Sequence, residues 1–359
     1  MKILQLITSL RVGGAEMLAV QMADMLRLRG HEVGIAVLDG ERTPLSEQAK
    51  SKGIPVIRLG GSAYNPLAIL KIARLMKGYD VVHAHNASPQ FFAAIASLFA
   101  GKGAKLATTE HNTTNRRRGS RLWRLADRWM YGRYSMIACI AEPARDNLSR
   151  HLGRYEDRMT VIHNGIDLEA FRDPAPCPDA RRDNCKCNII MVAGFREQKD
   201  QDTLIRAVAL LPESRFHLWL VGDGSRRPQL EALIKSERAE DRCTLLGLRS
   251  DVPSLLRTAD ITVMSSHYEG LSLSSVEGMA AGKPMIASDV PGLKEVVGGA
   301  GILFPEGDSQ ELARILAKLA DDRSFYDAIA AQCLERARQY DIRKMIDRYE
   351  NLYHQVTEQ

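Results

Sequence analysis

Two carboxylates, Glu269 and Glu277, flank seven residues at a point where the chain changes character. A short aliphatic run, Ile261 to Met264, gives way to Ser265-Ser266-His267-Tyr268-Glu269-Gly270-Leu271-Ser272, and a helical pattern through Ser275, Glu277 and Met279 follows until Gly282 and Pro284 stop it. The first carboxylate lies on a turn and the second about one turn into the helix, so both present acceptors to one side. Carboxylates suit the vicinal hydroxyls of a sugar or a ribose because each accepts more than one hydrogen bond. Amides that open the helix, around Ser272 to Ser275, favour a phosphate. One segment can therefore hold a sugar, a diphosphate and a ribose.

Cations stand at a second strand end. Arg196 and Lys199 follow the run Ile189 to Val192, where a forked guanidinium and a compact ammonium can take up the charge of a departing diphosphate without a divalent metal. Gly13-Gly14 after the first aliphatic run lets main chain approach a ligand, and Gly222-Asp223-Gly224 and Gly247 to Arg249 follow two further runs. The middle turn lacks the full G-x-G-x-x-G spacing and its distal acidic residue, which disfavours a dehydrogenase. His111 ends the stretch Leu106 to Thr109 within Thr108-Thr109-Glu110-His111. Its imidazole can orient a hydroxyl near neutral pH. His85 and Asn86 end the strand that starts at Asp80 and are the candidates for contact with an acceptor. Cys185 and Cys187, near Cys177, form a C-x-C without partners of metal-ligand spacing, so neither a metal nor a cofactor is expected.

These groups need strand ends to hold them. Short aliphatic runs at Ile3 to Thr8, Val33 to Leu38 and Val81 to Ala84 alternate with helical patterns at Ala15 to Arg29 and Pro66 to Lys77. A second series starts at Cys187 to Val192 and continues through Phe216 to Val221, Thr244 to Leu246 and Ile261 to Met264, with helical patterns at Asp202 to Leu211 and Arg227 to Arg238. Each series predicts an α/β, doubly wound parallel sheet, and ligands of such sheets bind beyond the strands' carboxyl ends. Two Rossmann-like domains facing across a deep cleft are expected: residues 1–168 for the acceptor and 169–340 for the donor, with the Pro- and Arg-rich stretch Phe171 to Asn184 as hinge and the helix of 341–359 packing back on the first domain.

Charge separates the halves. Residues 1–168 carry 24 Lys+Arg against 14 Asp+Glu, a net of +10, and the remainder 25 against 30, a net of −5. The basic half implies an anionic partner. Arg116-Arg117-Arg118 precede a helical pattern in which Arg121, Arg124 and Arg128 share one face and Leu122, Leu125 and Trp129 the opposite, core-facing one. Residues Arg116 to Arg128 are thus expected to meet an anionic membrane or a phosphate-linked lipid. A nucleic acid is not expected, because no stacking platform accompanies the basic residues. The longest apolar run, Phe91 to Ala100, is too short to span a bilayer and predicts a buried helix. Met1 to Leu10 lacks the features of a secretory signal. With six cysteines in 359 residues, a cytoplasmic protein at the inner face of the cell membrane is the expectation.

Taken in order, these segments resemble the retaining glycosyltransferases of family 4, which have the GT-B architecture and an E-x7-E motif, here Glu269 to Glu277. The resemblance also covers Gly13-Gly14-Ala15-Glu16, Asp80-Val81-Val82-His83-Ala84-His85, Asn164-Gly165-x-Asp167, Phe195-Arg196-Glu197-Gln198-Lys199-Asp200, Val221-Gly222-Asp223-Gly224 and Asp289-x-Pro291-Gly292-x-x-Glu295. It implies that Glu277 holds the ribose hydroxyls and that Glu269, with the backbone of Gly270, Leu271 and Ser272, contacts the transferred sugar. Leu248 and Arg249 would meet the base, Gly13 and Gly14 the diphosphate, and Lys199 and Arg196 the leaving group. The family places its arginine two positions earlier, where Gly194 stands. By the same resemblance His111 acts near the sugar and acceptor, and the configuration of the sugar is retained. The donor is expected to be a UDP-sugar and the acceptor a sugar or a lipid-linked sugar of a surface polysaccharide or glycolipid. A nucleotide-sugar 2-epimerase of the same architecture and a non-catalytic nucleotide-sugar binding protein are the rival readings.

Overall fold

A computed structural model describes residues 1–11, 13–60, 65–101, 103–111, 121–175, 177 and 187–358. The chain falls into two compact units, Met1–Asn164 with Arg343–Gln359, and Gly165–Ile342. The first change of unit comes four residues before Leu168, and the stretch expected as a hinge starts inside the second unit, where Phe171 and Cys177 are buried in its core. Both crossings of the chain are clasped within the second unit: Ile166 pairs with Asp341, and Gly165 lies so close to Ile342 that a Cβ there would sit 2.5 Å from its Cα.

In chain order the first unit contains β1 (Lys2–Ile7), α1 (Gly14–Leu28), β2 (Glu32–Val37), α2 (Pro44–Ser51), β3 (Val56–Arg58), α3 (Leu67–Met76), β4 (Val81–His85), α4 (Ala87–Ala96), β5 (Lys105–Glu110), α5 (Arg121–Tyr131), β6 (Met136–Cys139), α6 (Glu142–Leu152) and β7 (Met159–Val161). The second holds α7 (Glu169–Arg172), β8 (Cys187–Val192), α8 (Gln201–Ala209), β9 (Phe216–Val221), α9 (Arg227–Ser236), β10 (Cys243–Gly247), α10 (Val252–Thr258), β11 (Ile261–Met264), α11 (Leu273–Ala280), β12 (Met285–Ser288), α12 (Lys294–Val297), β13 (Ile302–Phe304), α13 (Ser309–Asp321) and α14 (Arg323–Ala337). The last helix, α15 (Ile342–Glu358), returns to the first unit.

Strand order is β3-β2-β1-β4-β5-β6-β7 in one sheet and β10-β9-β8-β11-β12-β13 in the other, all parallel. Central strands such as Ile261–Met264 are buried at every position, as strands covered by helices on both faces must be. In both sheets the order in which strands are added reverses at the centre, between β1 and β4 and between β8 and β11. The loops that leave those strands are where a doubly wound sheet binds ligands.

Buried tyrosines and exposed ion pairs hold α15 in place. Tyr349 and Tyr353 are fully buried, and Arg29 bonds Asp347 and Glu350 at 2.6 and 2.7 Å. The basic helix α5 does not bury the apolar stripe expected of it, and Arg124 is exposed beside that stripe. Asp127 is buried against His151 at 2.9 Å and Arg128 donates to the Leu152 carbonyl at 2.6 Å, whereas Leu125 and Trp129 stay 63% and 43% exposed. The inner face combines these satisfied polar groups with the buried Met130 and Tyr131. Arg116, Arg117 and Arg118 lie outside the described residues. The run Phe91 to Ala100 also departs from expectation: α4 ends at Ala96, and Leu98 and Phe99 are 53% and 59% exposed.

Candidate functional site

In the second unit β8 and β11 are neighbours in register, Ile189 beside Ile261, so the loops carrying Lys199 and Glu269 leave the sheet side by side. Those loops are cross-bonded: Gln198 donates to the Tyr268 carbonyl at 2.7 Å, and the His267 amide donates to the Gln198 carbonyl at 2.8 Å. Between them Lys199 Nζ meets Glu269 Oε1 at 2.5 Å, and Ser266 Oγ donates to the same oxygen at 2.7 Å. One carboxylate oxygen is thus committed to a cation and a hydroxyl. The other has no hydrogen bond among the described residues. With side-chain exposures of 8% for Glu269 and 21% for Lys199, the pair interacts more strongly than a surface ion pair.

The Glu269 backbone is fixed from the loop that follows β12. Its amide donates to the Pro291 carbonyl at 3.2 Å, and Gly292, at φ +86°, approaches so closely that a Cβ would lie 2.2 Å from the Glu269 carbonyl oxygen. Only glycine fits there. Gly222 serves packing in the same way: at φ +138° its missing Cβ would sit 2.1 Å from the Ala193 carbonyl, so the approach that the sequence suggested for a ligand is occupied by the chain's own backbone.

Ser272 caps α11 by accepting from the Ser275 amide at 3.3 Å. Gly270 and Leu271 lie half-buried just before it. Glu277 is half-buried on α11, and loss of water around it pushes its carboxyl up to about 7. Arg196 is exposed and makes no ion pair among the described residues. Arg249 is turned to Asp251, with contacts of 2.7 and 2.6 Å, and holds that carboxyl down to about 2. Leu248 is 77% exposed beside it.

In the first unit, Gly13 precedes α1 in an extended conformation and Gly14 opens the helix with free space where a Cβ would point. A Cβ on Gly13 would meet only the end of the Glu16 side chain. No neighbouring backbone demands either glycine. On β4, His83 and His85 share one face and stack at 4.3 Å. His83 bonds Tyr353 at 2.5 Å and Thr109 at 2.8 Å, and Thr109 in turn bonds Tyr349 at 2.8 Å. His85 bonds Gln5 at 2.7 Å and His111 at 3.1 Å. Burial drives all three imidazoles to the neutral form, His83 to about 3, His111 to about 4 and His85 well below its usual value.

His85 is therefore misassigned as an acceptor contact. It is fully buried with both nitrogens engaged, and it supports the half-buried His111. Asn86, next to it, adopts φ 69° and ψ 160°, a conformation that costs a side-chain-bearing residue about 1–3 kcal/mol. Sequence reasoning passed over Ser266, Gln198, Gln5, His83, Tyr349 and Tyr353. Gln5, a polar residue in the centre of an aliphatic strand, was the readable signal among them.

Residues 12–170 match the family described as Glycosyltransferase Family 4, and residues 186–322 match the one described as Glycosyl transferases group 1. EpsD of Bacillus subtilis (strain 168) is 30% identical over 320 residues, 81% of this chain and 80% of that protein. The UDP-Gal:alpha-D-GlcNAc-diphosphoundecaprenol alpha-1,3-galactosyltransferase of Escherichia coli is 24% identical, covering 80% and 78% of the two chains. Among solved structures, Anabaena HepE in complex with UDP superposes with a TM-score of 0.86 at 24% identity, over 99% of this chain and 100% of that one. Two parallel Rossmann-like sheets and family matches over both place the protein: it is a glycosyltransferase of the GT-B fold and belongs to glycosyltransferase family 4.

Proposed function

We propose that the chain transfers a hexose from a UDP-sugar to a sugar or lipid-linked acceptor, with retention of configuration and without a metal, in the synthesis of a surface polysaccharide or glycolipid. The observation that carries this reading is the Lys199–Glu269–Ser266 constellation, with Arg196 unpaired among the described residues of the same loop. Glu269 offers its remaining oxygen to a sugar hydroxyl, and the two cations take up charge as the sugar–phosphate bond breaks. The leaving phosphate is then free to receive the acceptor's proton, since no carboxylate nucleophile is assigned. Support for the donor comes from HepE, solved with UDP, and support for a lipid-diphosphate acceptor from the name of the Escherichia coli relative.

A panel of nucleotide sugars incubated with the protein and EDTA, with products followed by NMR, tests the reading. Transfer or slow hydrolysis of a UDP-hexose with the α-anomer retained is expected. Inversion, or activity that EDTA abolishes and Mg²⁺ or Mn²⁺ restores, overturns the corresponding part. Conversion of the donor into its 2-epimer would favour the rival enzyme.

We also propose that α5 brings the protein to an anionic membrane. No helix among the described residues is long and apolar enough to cross one. The exposed Trp123, Leu125 and Trp129 on a helix rich in arginine have the composition of an interfacial segment. Sedimentation with anionic vesicles but not with neutral ones is expected; equal binding to both sinks the idea.

A further inference from the structure

Protons along the chain Gln5–His85–His111 can be assigned from its end. The Gln5 carboxamide oxygen has no hydrogen to give, so the His85 Nε2 that sits 2.7 Å from it carries one. A neutral His85 then has a bare Nδ1. His111 Nε2, 3.1 Å away, must donate to it. A neutral His111 that is protonated on Nε2 has an unprotonated Nδ1, and that nitrogen has no partner among the described residues. We propose that Gln5, acting through His85, is a positioning residue that holds His111 as its Nε2-protonated tautomer, so that the ring offers a bare Nδ1 to accept a hydrogen bond from a substrate hydroxyl.

The surroundings favour a relay that cannot easily rearrange. Gln5 and His85 are fully buried. His83 stacks on His85 at 4.3 Å and is itself held between Tyr353 and Thr109, so the His85 ring cannot turn over without disturbing its neighbours. The Gln5 amide nitrogen is buried without a hydrogen-bond partner among the described residues. With both imidazoles kept neutral by burial, a second proton does not blur the assignment. The tautomer of a histidine is set by what its other nitrogen meets; here the determining group is a glutamine two residues removed in the relay.

This inference rests on the reading of His111 as a group that faces substrate. Long-range proton–nitrogen correlation spectra of the full chain labelled with ¹⁵N-histidine test it directly. Wild-type His111 is expected to be protonated on Nε2 alone. In Gln5→Met both tautomers of His111 should appear, and kcat should fall about tenfold with the donor KM unchanged. In Gln5→Glu at pH 8 a carboxylate again accepts from His85, and the single tautomer should return. A wild-type His111 protonated on Nδ1, as a reversed Gln5 amide would impose, overturns the proposal, and so does a Gln5→Met spectrum identical to wild type. Should Gln5→Met fail to fold, the wild-type spectrum decides alone. Normal turnover in His111→Ala, with the expected tautomer intact in wild type, would instead strike the assignment of His111 to the chemistry.

Discussion

The two candidate regions use opposite physics. Around Glu269 the working groups are charged and lie on loops: an ion pair, a hydroxyl and an exposed arginine. Beneath His111 they are neutral, buried and built on strands, with histidines, hydroxyls and one carboxamide bonding each other in sequence. Charges on partly exposed loops can shift to meet a ligand, and they act on charge that develops during a reaction. Neutral groups in a dry core keep one arrangement, because a buried polar atom that loses its partner is costly. The first region is suited to a departing diphosphate, the second to aiming a single ring.

If that contrast is right, the largest effects come from the charged region. Glu269→Ala and Lys199→Ala should each lower kcat by about a hundredfold to a thousandfold, roughly 2.7–4 kcal/mol. Steady-state kinetics with the donor that the nucleotide-sugar panel selects checks this. Near-normal turnover in either variant removes the charged region from the chemistry.

The neutral region should instead reveal itself through acid. His83 and His85 bind protons in the unfolded chain near the ordinary value of about 6.5 but not in the folded one. Their folded values are depressed, so the unfolded chain takes up more protons as pH falls, and stability is lost below about 6.5. At pH 5.5 each costs roughly 1.4 kcal/mol, about 3 kcal/mol together. Urea unfolding followed by hydrogen exchange should show β1, β4 and β5 opening first at that pH. Equal loss in β8 to β13 would erase the distinction between the units.

Sequence patterns showed much of the charged region and little of the neutral one, for a physical reason. Glu269, Glu277, Arg196 and Lys199 stand at breaks between an aliphatic run and a helix, where a charge is conspicuous. Strands β8, β9 and β11 were readable to the residue from their apolar runs, because strands buried on both faces are continuously hydrophobic. The bonded set under His111 joins Gln5 from β1, His83 and His85 from β4 and Tyr353 from α15, and no local period links residues so far apart. Tyr349 and Tyr353 look like any pair one turn apart on an amphipathic helix. The exposure of Leu125 and Trp129 was missed because the apolar stripe of α5, taken alone, predicts burial, and the partners that hold Asp127 and Arg128, His151 and the Leu152 carbonyl, lie on α6.

Glu277 sits between the two kinds of group: a carboxyl that can ionise, in a setting that resists it. Its folded value is raised from 4.5 to about 7, so the folded state is penalised as pH rises through that window and the penalty is complete above it. Glu277→Gln should therefore match the parent at pH 4 and exceed it by about 1–2 kcal/mol at pH 8. Thermal melts at both values test this. UDP should bind the variant more weakly, because an amide accepts at one atom where a carboxylate accepts at two. A variant no more stable at pH 8 than the parent would mean that the carboxylate has a partner in solution.

The smallest expected effect isolates α15. Tyr353→Phe removes the hydroxyl that bonds His83 and leaves one buried ring nitrogen without its partner, a loss of about 1–2 kcal/mol. Because phenylalanine keeps the ring that packs edge-on against His83 at 5.8 Å, the packing survives and the deficit should stay local. Exchange protection is expected to fall in β4 and β5 and to stay unchanged in β8 and β11. The kcat should drop only slightly, since His85 and Gln5 still hold His111. A kcat loss as large as that of Lys199→Ala would show that His83, rather than Gln5, governs the ring, and the origin of its orientation would move from β1 to α15.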